Sequence, residues 1–166
     1  APEQRQLGYV PQDYALFPHM SVRANVGFGV RRMWKRLGKA EAAGVEDILE
    51  RCGLSEVAGA RPAELSGGQR QRTALARGLA AQPGLLLMDE PFSALDAPLR
   101  VRMRRDLHQV LERVEVPLIL VTHDMDELLE FTDSVAVYGR GRAAMLEKPN
   151  GRPLDRAQLN AAMTQA

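Results

Sequence analysis

Leu85-Leu86-Leu87-Met88-Asp89-Glu90-Pro91 is the stretch on which the fold turns. Its apolar residues run on without alternating. That pattern predicts a strand buried on both faces, as in a parallel sheet covered by helices. The run ends in two adjacent carboxylates. Such charges repel and collect where chemistry is done, although a loop salt bridge would also account for them. Ligands of parallel sheets sit at the carboxyl ends of the strands, which makes Asp89 and Glu90 candidate site residues.

Downstream, Leu99, Met103, Leu107, Val110, Leu111 and Val114 fall at helical spacing and predict a helix over 97–114. Pro117 breaks the chain, and Leu118 to Val121 reads as a second buried strand ending at Thr122-His123. Asp124 can cap a further helix with Glu127 as box partner. Val135 to Tyr138 and Ala143 to Leu146 read as a hairpin around 139–141, and 155–163 as a last helix. Upstream, Leu7 to Val10 is a short strand closed by Pro11. Ser21 can cap a helix over 22–32, which Gly27 and Gly29 weaken. A firmer helix spans 39–51, with Val45, Ile48 and Leu49 on one face and Gly53 as its stop. Short pieces are expected around Glu56 and Arg61-Pro62, and a strong helix from Ser66 to about Ala81. Alternating strands and helices in the second half give the fold class as α/β with a mainly parallel sheet.

The chain has 166 residues, enough for one domain with a real core. Lys and Arg number 22 against 21 Asp and Glu, so the net charge of +1 argues for neither nucleic-acid nor anionic-membrane binding. Arg100, Arg102, Arg104 and Arg105 are read as a solvated helix face. Cys52 is the sole cysteine, which fits a reducing cytoplasm, and it is read as a small inert hydrophobe. No apolar run approaches the roughly 20 residues of a membrane span, and no signal peptide is evident. The start at Ala1, close to the first strand, leads us to expect a piece of a longer protein, although removal of an initiating Met would also leave Ala first.

Ser66-Gly67-Gly68-Gln69 carries the second signal. A capping box explains Ser66 and Gln69, each bonding the other's backbone N–H. It does not explain two glycines in a first helical turn, which cost roughly 0.5–1 kcal/mol each relative to Ala. Without Cβ atoms another surface can approach the backbone, and a helix N-terminus suits a phosphate.

Continued through Arg70-Gln71-Arg72-Thr73-Ala74-Leu75-Ala76-Arg77, this stretch resembles the signature of ABC transporter ATPases. The resemblance implies a P-loop NTPase fold with an inserted α-helical subdomain, ATP and Mg²⁺ as cofactors, and ATP hydrolysis coupled to transport. Leu85 to Pro91 is similar to the family's Walker B motif. On that likeness Asp89 holds Mg²⁺ through water, and Glu90 polarises the water that attacks the γ-phosphate. Ser93-Ala94-Leu95-Asp96 stands at the D-loop, and His123 at the switch histidine. Tyr9-Val10-Pro11-Gln12 resembles the Q-loop, whose Gln12 would touch metal or water. Ser66, Gly67, Gly68, Gln69 and Asp96 would meet the nucleotide of a second subunit. The run from Tyr14 through Val22 is similar to importers of the mineral and organic ion type. Tyr14, Phe17, Pro18 and Met20 are then candidates for contact with a membrane subunit, packing within the subdomain being the alternative.

The family's phosphate grip, Gly-x-x-x-x-Gly-Lys-[Ser/Thr], does not occur in the 166 residues, and eleven residues precede Gln12. The expectation is therefore the later part of an ATPase domain, lacking Walker A and inactive by itself. We expect core and Q-loop over 1–16, helical subdomain and signature helix over 17–82, catalytic core over 83–150 and a C-terminal tail over 151–166. The resemblance implies a head-to-tail ATPase dimer with permease subunits and no nucleic acid, cytoplasmic and peripheral on the inner face of the membrane. In related ATPases the strand feeding the missing loop lies between those ending at Asp89 and near His123. Without it the sheet should be unstable, self-associate, or bring its strands together. A soluble ABC-class ATPase outside transport and a non-catalytic interaction domain are the alternatives.

Overall fold

The structure is a computed structural model that describes residues 6–30, 37–93, 95–114, 116–139, 142–147 and 155–165. Two compact units divide the chain, Ala1–Val121 and Thr122–Ala166.

In the first unit, β1 (Leu7–Val10), β2 (Leu85–Asp89) and β3 (Leu118–Val121) form one parallel sheet in the order β1-β2-β3. The register pairs Val10 with Met88 and Asp89 with Val121. The Glu90 amide extends the ladder by donating to the Val121 carbonyl at 2.8 Å. Thus β2 and β3 are direct neighbours, which is the third of the outcomes expected of a sheet without the intervening strand.

The continuous apolar run predicted burial on both faces of β2, and the structure corrects this. Leu86 and Met88 are buried, whereas Leu85, Leu87 and Asp89 are only half-buried. Leu7, Tyr9, Ile119 and Val121 leave the same open face exposed.

The covered face meets α3 (Gly67–Ala80), whose Ala74, Leu75 and Leu79 are buried. Helix and strand approach closely because both carry glycine. A Cβ on Gly8 would lie 2.6 Å from the Gly78 carbonyl oxygen. Around α3 lie α1 (Val22–Phe28), α2 (Lys39–Arg51) and two short 3-10 turns, Ser55–Val57 and Pro62–Glu64. α2 has the predicted bounds and buried face, and Gly53 follows it at φ 62°, in the left-handed region. α1 ends at Phe28, short of the expected 32; residues 31 and 32 lie outside the described residues. Gly29 caps it with its backbone still helical, and a Cβ there would collide with the Arg77 carbonyl.

α4 (Ala97–Leu111) buries Met103, Leu107 and Val110. Its arginines do not all face solvent as expected: Arg104 is buried, and Arg100 donates to the Leu95 carbonyl at 3.0 Å.

The second unit holds α5 (Met125–Phe131), an antiparallel pair of β4 (Ser134–Gly139) and β5 (Arg142–Glu147), and α6 (Arg156–Gln165). Val135 and Leu159 centre its small core, with Met125, Leu128 and Leu129 packed around them. Asp124 caps α5 as predicted, accepting from the Asp126 amide at 2.8 Å, and Glu127 is buried. Residues 140 and 141 of the expected turn lie outside the described residues.

Candidate functional site

At the carboxyl end of β2 the chain turns sharply. Glu90 takes φ 42°, a left-handed backbone that a non-glycine residue adopts at a cost of order 1–3 kcal/mol. Ser93 closes the turn, its amide and hydroxyl both donating to the Glu90 carbonyl, at 3.2 and 3.0 Å. Into this turn reaches Gln12, whose side-chain amide donates to Ser93 Oγ at 2.9 Å. The Tyr9 hydroxyl donates to Asp89 Oδ2 at 3.3 Å. The structure therefore brings together three residues that the sequence set apart: Gln12, Asp89 and Glu90. Ser93 and Tyr9 complete the cluster without having been assigned these contacts. The Tyr9–Asp89 and Gln12–Ser93 contacts leave no local signal, because each spans some eighty positions of sequence, whereas the Ser93–Glu90 turn is local.

The groups gathered beside the Glu90 turn, the Asp89 carboxylate, the Gln12 amide and the Ser93 hydroxyl, are hard oxygen ligands or close to them. Among the described residues no group of three His, Cys, Asp or Glu could hold a metal by itself. Mg²⁺ suits such a site, since it keeps several waters and takes one or two carboxylates, with substrate phosphates supplying the rest.

The start of α3 is built as the capping box predicts. Ser66 Oγ accepts from the Gln69 amide at 3.2 Å, and Gln69 Oε1 accepts from the Ser66 amide at 2.8 Å. The N–H groups of Gly67 and Gly68 are first-turn donors, which no carbonyl of the helix can satisfy. The two glycines differ in surroundings. A Cβ on Gly67 would stand 3.8 Å from Leu99 Cδ2, in ordinary contact, whereas one on Gly68 would meet Met103 Sδ at 2.5 Å. Gly68 thus makes room for α4 of its own chain, a reason for glycine that the sequence did not suggest. Asp96 caps α4, accepting from the Leu99 amide at 2.9 Å. Ala94 lies outside the described residues. His123 is exposed and belongs to the second unit.

Of the residues singled out beyond Gln12, Tyr14 turns inward and its hydroxyl donates to the Pro91 carbonyl at 3.3 Å. Burial raises its pKa, with Arg70 opposing. Phe17 packs on Phe28, ring centroids 4.4 Å apart. Pro18 is exposed and Met20 half-buried. Tyr9, Pro11, Ala15, Phe17, Phe28 and Arg77 line an open groove of about 440 Å³.

A parallel sheet with helices on one side, an acidic strand end and a glutamine loop against it together describe an α/β domain with the architecture of a nucleotide-handling ATPase. The profile of the family described as "ABC transporter" matches residues 1–93, and the chain belongs to that family. It is 48% identical over 153 residues to the Fe(3+) ions import ATP-binding protein FbpC of Pseudomonas fluorescens, covering 92% of this chain and 41% of the relative. It is 48% identical over 149 residues to the sulfate/thiosulfate import ATP-binding protein CysA of Caulobacter vibrioides, covering 88% and 44%. It is 46% identical over 158 residues to the spermidine/putrescine import ATP-binding protein PotA of Roseobacter denitrificans, covering 91% and 43%. The chain thus spans less than half the length of these curated relatives. A solved inward-facing metal-chelate type ABC transporter shares the fold, with TM-score 0.77 and 24% identity, over 95% of this chain and 64% of that one. No described helix is long and apolar enough to cross a membrane.

Proposed function

We propose that the chain is the Q-loop-to-switch portion of the ATP-hydrolysing subunit of an importer for an ion, oxyanion or similar small solute. The observation that carries this reading is the union of Gln12 with the Glu90 turn through Ser93. Glu90 is the general base, taking the proton of the attacking water, and Gln12 orients that water from the Q-loop side. Asp89 is the residue that would hold Mg²⁺, whose charge neutralises the phosphate oxygens when it is bound. Tyr9 fixes one oxygen of that carboxylate. Ser66, Gly67, Gly68, Gln69 and Asp96 are assigned to the nucleotide of a second subunit, and His123 to the γ-phosphate. Residues 17–82 form the helical subdomain in this reading, and the apolar groove beside Phe17 suits contact with a permease subunit. The subunit would work in the cytoplasm against the inner face of the membrane.

The test supplies the missing phosphate loop. The N-terminal region of the iron-import relative is fused ahead of residues 1–166, and Mg-ATP turnover is measured. The fusion should hydrolyse ATP. Glu90→Gln should lower kcat by about 10²–10⁴, the usual worth of a general base, while ATP binding persists. Residues 1–166 alone should not turn over. Hydrolysis by the short chain, or a fusion indifferent to Glu90→Gln, would overturn the proposal.

A further inference from the structure

We propose that Arg77 is a positioning residue that sets the backbone of the turn after Gln12 and ties it to α3. This deepens the assignment of Gln12 above and rests on it. The turn contains two consecutive non-glycine residues in the left-handed region, Tyr14 at φ 63° and Ala15 at φ 41°. L-residues resist this conformation, so something outside the turn must hold it.

The Tyr14 hydroxyl anchors its side chain to the Pro91 carbonyl, and the hold on the main chain of the turn is the Arg77 guanidinium. Nη2 donates to the Tyr14 carbonyl at 2.8 Å and Nη1 to the Ala15 carbonyl at 2.5 Å. A planar fork can serve two successive carbonyls at once, whereas an ammonium is a single point of charge. The same guanidinium lies over the Phe17 ring, 5.6 Å from its centroid. The backbone of Arg77 is engaged as well, since its carbonyl faces Gly29 so closely that a Cβ there would collide. Hence one residue of α3 grips the Gln12 turn with its side chain, while its carbonyl lies close against the end of α1. Partial burial lowers the Arg77 pKa, with the Asp13 carboxylate opposing.

The experiment uses the purified 166-residue chain and reads backbone conformation, so its failure is distinct from a failure of the ATPase assignment. Arg77→Met keeps the stem and removes the donors. Arg77→Lys keeps stem and charge and loses the fork. In the wild type, Cα and Cβ chemical shifts and the amide couplings of Tyr14 and Ala15 should report left-handed backbone. In Arg77→Met these signatures should move to ordinary negative-φ values, and amide exchange over 12–17 should accelerate at least tenfold while α2 is unchanged. Arg77→Lys should recover less than half of the lost protection. Where Arg77→Met fails to fold, the lysine variant carries the comparison alone, with at least threefold faster exchange over 12–17. A left-handed turn and unchanged exchange in these variants would overturn the proposal, as would full rescue by lysine, because packing of the stem and charge would then suffice.

Discussion

Cys52 shows how far one residue can be understood alone. It is 1% exposed, and burial pushes its thiol up to about 12, against weak opposition from Arg72, Arg113 and Arg51. The sequence suggested an inert thiol because no activating neighbour stood near it, and burial supplies the physical cause. An unfolded thiol titrates near 8.5. The contribution of the buried neutral thiol to stability is therefore complete below that pH and is lost as pH rises toward about 12. Two outcomes follow. An aromatic disulfide reagent at pH 8 should label Cys52 only as fast as the chain opens, and Cys52→Ala should flatten the alkaline decline of the urea midpoint between pH 9 and 11. Rapid stoichiometric labelling of the native chain would refute this. Gly68 teaches the opposite lesson at this scale. Its lack of a side chain reads from sequence as room for another surface to approach, and the structure shows Met103 of its own chain beside it.

At the scale of elements, the bounds of β1, α2, β2 and β3 were legible because periodicity, caps and breakers are local. Failures came where tertiary surroundings decide, as on β2 and β3, whose alternate residues stay partly exposed instead of buried. Asn25 in α1 shows what organises the segment before that helix. Its side chain is fully buried. Oδ1 accepts from the Phe17 amide at 2.8 Å, and Nδ2 donates to the carbonyls of Phe17, Met20 and Ser21 at 3.0–3.2 Å. Asn25→Ala strands these groups, and each buried orphan costs about 1–3 kcal/mol. We expect a net loss of about 3 kcal/mol in urea unfolding. Asn25→Asp should lose as much, since a carboxylate keeps the acceptor but cannot donate to three carbonyls. A loss below about 1 kcal/mol in both variants would show that water replaces the side chain.

For the whole molecule, the open sheet face is decisive. A parallel sheet is normally covered on both sides. Here Leu7 is 42%, Tyr9 47%, Ile119 49% and Val121 48% exposed, and β1 and β3 are free edges of the three-stranded order among the described residues. Direct β2–β3 pairing removes one gap but covers neither the face nor the edges. The 166-residue chain should therefore self-associate, its sedimentation coefficient rising with concentration in the micromolar range. Ile119→Lys places a charge on the open face of an edge strand and should shift the chain toward monomer. A wild-type chain that stays monomeric at high concentration would contradict this account.

Gln12 was picked out by resemblance to the Q-loop, but sequence by itself determined the fold class, the strand and helix identities, the acidic strand end and the glycine-opened helix. These rest on short-range rules: side-chain periodicity, cap chemistry and the cost of glycine or repelling carboxylates within a few residues. Only the tertiary structure decided that β2 pairs with β3, that one face of the sheet stays open, and that Ser93 joins Gln12 to the Glu90 turn. It alone decided that Arg77 holds a strained turn more than sixty positions away. Such contacts are set by how backbones pack in space, and spacing along the chain carries no record of them.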